Sequence, residues 1–112
     1  MIDVPIVNGD FPTEAALYMA YMPFIKDGGL FIRTNLTLPL GGKVKLSIKL
    51  IDELEPYVIS AKVAWITPRG SQGNKPAGLG FQFQGEEGRV LKNKIETYLT
   101  TMLKSTQITD TL

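Results

Sequence analysis

The segment Lys43–Leu50 constrains the fold more than any other stretch of this sequence. Val44, Leu46, Ile48 and Leu50 alternate with Lys43, Lys45, Ser47 and Lys49. A period of two puts successive side chains on opposite faces of a strand, so one face is dry and the other wet. Such a strand needs partners for its backbone and a cover for its dry face. The rest of the sequence has to supply both.

Residues 57–67, through Val58-Ile59, Lys62-Val63 and Trp65-Ile66, predict the strand that follows, after a turn at Asp52-Glu53-Leu54-Glu55-Pro56. A loop at 68–76 leads to a further strand over 77–84, weakened by glycines but anchored by alternating large residues. Upstream, Leu30-Phe31-Ile32 begins a short strand after the turn Lys26-Asp27-Gly28-Gly29. Residues 15–22 are apolar and aromatic, and Pro23 favours an extended chain before it, so they are predicted as the first strand. After Gly85 the period changes. Leu91, Ile95, Tyr98, Leu99 and Met102 form one stripe of a helix predicted to end near Leu103. The expected fold is mainly β: a small antiparallel barrel over 14–104 with a C-terminal helix, an irregular lead-in at 1–13, and a flexible tail at 105–112.

Composition narrows the chemistry. With no cysteine and no histidine, the chain lacks the two favoured zinc ligands, the thiolate nucleophile, and the commonest proton carrier near neutral pH. No cofactor, metal or catalytic residue is expected. Twelve basic against eleven acidic residues give a net charge of +1, which disfavours binding nucleic acid by bulk charge. The N-terminus lacks the charged and apolar regions of a secretory signal, and no apolar run is long enough to span a bilayer. These observations predict a cytoplasmic protein, with the sequon Asn35-Leu36-Thr37 a chance match. Gly78-Leu79-Gly80-Phe81-Gln82-Phe83 starts like a dinucleotide fingerprint, but its third glycine is replaced by Phe83 and it sits in a strand. Gly42-Lys43 lacks the upstream glycine and the following hydroxyl of a phosphate loop.

Several surface features remain. The stripe of Lys43, Lys45 and Lys49 suits a solubilising strand face better than a phosphate-binding one, and Arg69 and Lys75 suit an ordinary loop better than an anion clamp. The helical stripe suits a seal on the core better than a docking ligand. Tyr18, read as a wet-face residue beside Ala16 and Ala20, is the kind of aromatic anchor that interfaces use. Trp65 is ambiguous: parity with Ser60 and Lys62 on the opposite face would bury it, whereas a bulge would expose it.

Taken together, Tyr21-Met22-Pro23-Phe24-Ile25-Lys26-Asp27-Gly28-Gly29-Leu30-Phe31-Ile32 and Gly78-Leu79-Gly80-Phe81-Gln82-Phe83 resemble the two strand motifs of PilZ domains. Ala64-Trp65-Ile66-Thr67-Pro68 and Gln72-Gly73-Asn74 are similar to the type IV pilus assembly subgroup of that family. The resemblance spans about residues 14–103. It implies a domain of cyclic di-GMP signalling, whose receptors use an RxxxR segment and a [DN]xSxxG motif. Here the first arginine is Arg33, past both expected positions. Aligning Gly29 with the closing glycine puts Phe24 at the Asp/Asn position and Lys26 at the Ser position. Phe24 and Lys26 thus supply neither the carboxylate or amide nor the hydroxyl of that motif, and with no arginine before Arg33 there is no guanidinium to stack on guanine or fork onto phosphate. Gly29 is expected to persist because it makes the turn. The resemblance thus implies an adaptor that does not itself bind cyclic di-GMP. Its partners would be the pilus extension ATPase, of the PilB type, and an EAL-domain regulator of the FimX type. Tyr18 and Trp65 would face the ATPase, and Tyr98, Met102 and Ile108 on the helix and tail would face the EAL partner. The alternatives are a direct receptor using Lys26, Arg33 and loop cations, and a barrel binding single-stranded nucleic acid through aromatics and lysines.

Overall fold

The computed structural model describes residues 4–67 and 77–111, with side chains through Thr100. Seven elements follow one another: β1 (Ile6–Phe11), α1 (Glu14–Ala20), β2 (Gly29–Arg33), β3 (Lys43–Leu50), β4 (Tyr57–Thr67), β5 (Gly78–Gln84) and α2 (Gly85–Thr111). The strands form one five-stranded sheet in the order β1-β3-β4-β5-β2. This is the mainly-β architecture with a terminal helix that the sequence predicts. The sheet is a half-barrel, since its edge strands β1 and β2 do not pair, and it is antiparallel except where β1 runs parallel to β3. Its two edge strands, β1 and β2, face each other across a cleft partly covered by α1.

β3 buries Val44, Leu46, Ile48 and Leu50 and turns its lysines outward, as its alternation requires. The lysines do not mark an edge, since β3 lies between β1 and β4. α2 closes the core by burying Leu91, Ile95 and Leu99 in the cluster that holds Phe81 and Phe83, against β4 and β5, so these positions of the helical stripe are a seal.

Three sequence expectations are corrected. Residues 15–22 are predicted as a strand, yet residues 14–20 form α1. Thr13 caps it, its hydroxyl accepting from the Ala16 amide at 3.1 Å, and Glu14 sits in the first turn. Three alanines, a leucine and a methionine are strong helix formers. The influence of Pro23 reaches only its own neighbour, so it permits a helix that stops at Ala20 and an extended Tyr21. The lead-in is not irregular either: Ile6–Phe11 is β1, burying Val7 and Phe11 and pairing along the whole length of β3 that matches it. Its Asn8-Gly9-Asp10 looks like a turn locally, but pairing with β3 overrides that preference. Lastly, α2 continues through Thr111 instead of stopping near Leu103, so 105–111 is helical rather than a coil tail.

Gly28 and Gly29 divide the role given to Gly29. Gly28 takes the positive φ of the turn (82°), after Asp27 at 66°. Gly29 is the first residue of β2, where a Cβ would lie 2.5 Å from the Phe81 carbonyl oxygen.

Candidate interaction surface

Exposed apolar and aromatic side chains occur on several elements, and those on α1 and at the end of β4 include the two aromatics singled out in the sequence. Trp65 is 51% exposed and Tyr18 39%, and Met19, next along α1, is 83% exposed. The ambiguity at Trp65 is resolved by an irregularity in β4. The β4–β5 register shifts between Val63 and Trp65, so Val63 stays in the core while Trp65 turns outward. The indole N–H donates to Thr67 Oγ1 at 3.0 Å, holding the ring along its own strand. Trp65 pairs with Gly80 of β5, and the absence of a side chain there makes room for it. A Cβ on Gly80 would meet Trp65 Cβ at 2.8 Å and Met22 Sδ at 2.9 Å. Met22 and Trp65 therefore meet over one glycine, and Met22 lies one residue beyond Tyr21, at the exit of α1.

Tyr18 reaches the surface by a different route from the one expected. On a helix, Leu17 and Ala20 turn inward, leaving Tyr18 and Met19 on the outer side. Tyr18 lines a notch between α1 and α2 together with Met19, Tyr21, Pro23, Glu96 and Leu99. Its volume is about 410 Å³. The Tyr21 hydroxyl donates to Glu96 Oε2 at 2.7 Å, and burial followed by this bond pushes the phenol well above its ordinary range. This carboxylate gave no signal in the sequence, because only the helix–helix packing brings Glu96 beneath Tyr21.

A second polar cluster ties α2 to the β3–β4 turn. Glu53 accepts from the Tyr98 hydroxyl at 2.6 Å and the Tyr57 hydroxyl at 2.7 Å, and Lys94 Nζ lies 3.9 Å away. The bond from Tyr98, with those from Tyr57 and the Lys94 charge, holds the Glu53 carboxyl below its ordinary range despite partial burial. Tyr98 is pushed up to about 12, chiefly by its bond to Glu53, and Tyr57 to about 12, chiefly by burial. Tyr98 is thus engaged within the domain. Met102 and Ile108 lie on α2, but their side chains fall outside the described residues. So do the loop cations Arg69 and Lys75 and the segment Gln72-Gly73-Asn74.

The residues weighed as nucleotide contacts lie at opposite ends of β2. Phe24 is 73% exposed in the turn before β2. The Lys26 carbonyl accepts from Gln82 Nε2 at 2.8 Å, which ties it to the Gly29 end of β2. Arg33 sits at the other end, opposite Gly78. Four residue steps of strand separate the two ends of β2 by roughly 13 Å. Among the described residues no group of three or more acidic side chains is placed to hold a metal. No helix among them is long and apolar enough to cross a membrane.

The PilZ domain family model matches residues 2–101 of the chain. Domains of that family serve as adaptors or receptors in cyclic di-GMP signalling and are typically not enzymes. No curated protein matches the sequence.

Proposed function

We propose, from the premise that this chain belongs to the PilZ domain family, that it is an adaptor in type IV pilus biogenesis and twitching motility. It would bind the pilus extension ATPase and an EAL-type regulator that carries cyclic di-GMP, without binding the nucleotide itself. The observation that carries this reading is the pair of outward aromatics, Tyr18 on α1 and Trp65 on β4. Exposed, preorganised aromatics concentrate binding energy at protein interfaces. The reading against nucleotide binding rests on the sequence: no arginine precedes Arg33, and Phe24 and Lys26 stand where the ligand motif has a carboxylate or amide and a hydroxyl. The separation of Lys26 from Arg33 along β2 also works against a substitute clamp built from those two cations. The EAL contact is assigned to the C-terminal part of α2, with Tyr98, Met102 and Ile108, and recruitment to the pilus machinery at the inner membrane would follow from ATPase binding.

Two calorimetric titrations test the proposal. Cyclic di-GMP added to the purified chain at low salt is expected to give no saturable heat. The purified pilus ATPase is expected to bind, and Tyr18→Ala and Trp65→Ala each to weaken that binding by about tenfold or more, the loss of a hot-spot residue. Saturable one-to-one nucleotide binding would make the chain a direct receptor with an atypical site. Unchanged ATPase affinity in both variants would remove the proposed surface.

A further inference from the structure

The notch between α1 and α2 is lined mostly by apolar and aromatic side chains, with one carboxylate among them. Met19, Pro23 and Leu99 supply aliphatic surface, Tyr18 and Tyr21 supply rings, and Glu96 supplies a carboxylate. Only one carboxylate oxygen, Oε2, receives the Tyr21 hydroxyl. Among the described residues no lysine or arginine pairs with Glu96. The half-buried carboxylate therefore has an acceptor to spare, and it lines a cavity.

We infer that this notch is the socket for an arginine side chain of a protein partner. The inference deepens the adaptor reading, because Tyr18 would act as one wall of this socket rather than as an isolated anchor. Three features select arginine. The apolar walls match the aliphatic stem of a long basic residue. The planar guanidinium packs on tyrosine faces, which attract cations through their quadrupole. Its fork of N–H donors reaches a carboxylate already oriented by Tyr21. An apolar side chain would fill the walls but leave the Glu96 charge desolvated and unpaired. An acidic one would be repelled.

N-acetyl-argininamide, titrated into the full-length chain and followed by NMR, tests this without any pilus protein. Saturable shifts of the Leu99 methyl and Tyr18 ring signals are expected at millimolar ligand, and markedly weaker ones with N-acetyl-norleucinamide, which has the stem but no charge. Glu96→Gln still accepts from Tyr21 and so keeps the helix packing, yet should weaken argininamide binding by about tenfold, the loss of one charge-assisted bond. Tyr18→Leu, on the outer side of α1, should weaken it by about threefold. Equal binding of the two amides, or unchanged argininamide affinity in both variants, would overturn the inference. Because the readout involves neither the ATPase nor the nucleotide, a failed socket is distinguishable from a failed adaptor reading. A working socket in a chain that ignores the ATPase would mean that the arginine belongs to another partner.

Discussion

A methyl group on Gly29 would approach the Phe81 carbonyl oxygen to 2.5 Å, and the side chain of Ile25 to 3.1 Å. Backbone in a paired strand cannot yield as a flexible side chain can. Gly29 starts β2 opposite Gln82, so relief would require parting β2 from β5 at their first pair. Gly29→Ala is therefore expected to destabilise the fold by about 1–3 kcal/mol, the usual cost of overpacking. For a domain of this size that lowers the thermal midpoint by several degrees per kcal/mol. A melting curve followed by circular dichroism checks it, and an unchanged midpoint would mean that the strands part without cost. The same residue shows that a motif glycine can have a purely structural reason: the close approach between strands requires it whether or not a nucleotide binds.

At the scale of elements, α2 is held by two kinds of force that respond differently to pH. Leu91, Ile95 and Leu99 hold it at any pH, while the bonds from Tyr98 and Tyr57 to Glu53 depend on a charged carboxylate and neutral phenols. Glu53 titrates below its ordinary 4.5 in the folded chain. Its contribution is then complete above pH 4.5 and is lost as pH falls through the lower, folded value. Tyr57 and Tyr98, raised from 10 to about 12, contribute fully below pH 10 and lose that contribution as pH climbs toward 12. Thermal midpoints of the natural chain and of Glu53→Gln should differ between pH 5 and 9, with the gap shrinking below about 4.5. A gap that persists into acid would show that Glu53 acts by shape alone. The elements also show what the sequence made legible. β3 and β4 emerge with their bounds, and the stripe of α2 with its burial, because hydrophobic periodicity is a local signal. α1 and β1 do not. The cap at Thr13 and its alanines were outweighed by a proline three residues past the helix, and β1 owes its existence to pairing with residues about forty positions away. The sequence leaves Trp65 ambiguous for a similar reason, since a bulge is a product of pairing rather than of composition. Glu96 was invisible until two helices met.

At the scale of the whole molecule, the layout separates the two proposed partner contacts along the chain. Tyr18 and Trp65 stand on α1 and β4, within a domain whose described core is closed at its C-terminal side by Leu99. Two of the three residues assigned to the EAL partner, Met102 and Ile108, lie beyond that seal, on the later turns of a 27-residue helix, while the third, Tyr98, is bonded to Glu53 within the domain. A chain cut after Thr100 keeps Leu91, Ile95 and Leu99, the ties from Tyr98 to Glu53 and from Tyr21 to Glu96, and every strand pairing. It should fold, with a thermal midpoint close to that of the full chain. ATPase affinity should stay within about twofold, since no anchor on α1 or β4 is touched. Binding to the EAL regulator should fall by about tenfold or more if those later turns carry its anchor residues. Pull-down of each partner with the full and shortened chains, after circular dichroism has established that both fold, reads the two losses independently. Loss of both together would mean that the partners share one surface and that the adaptor works by exchange. Retention of both would move the EAL contact onto the half-barrel itself, where the outward lysines of β3 would be the next residues to vary.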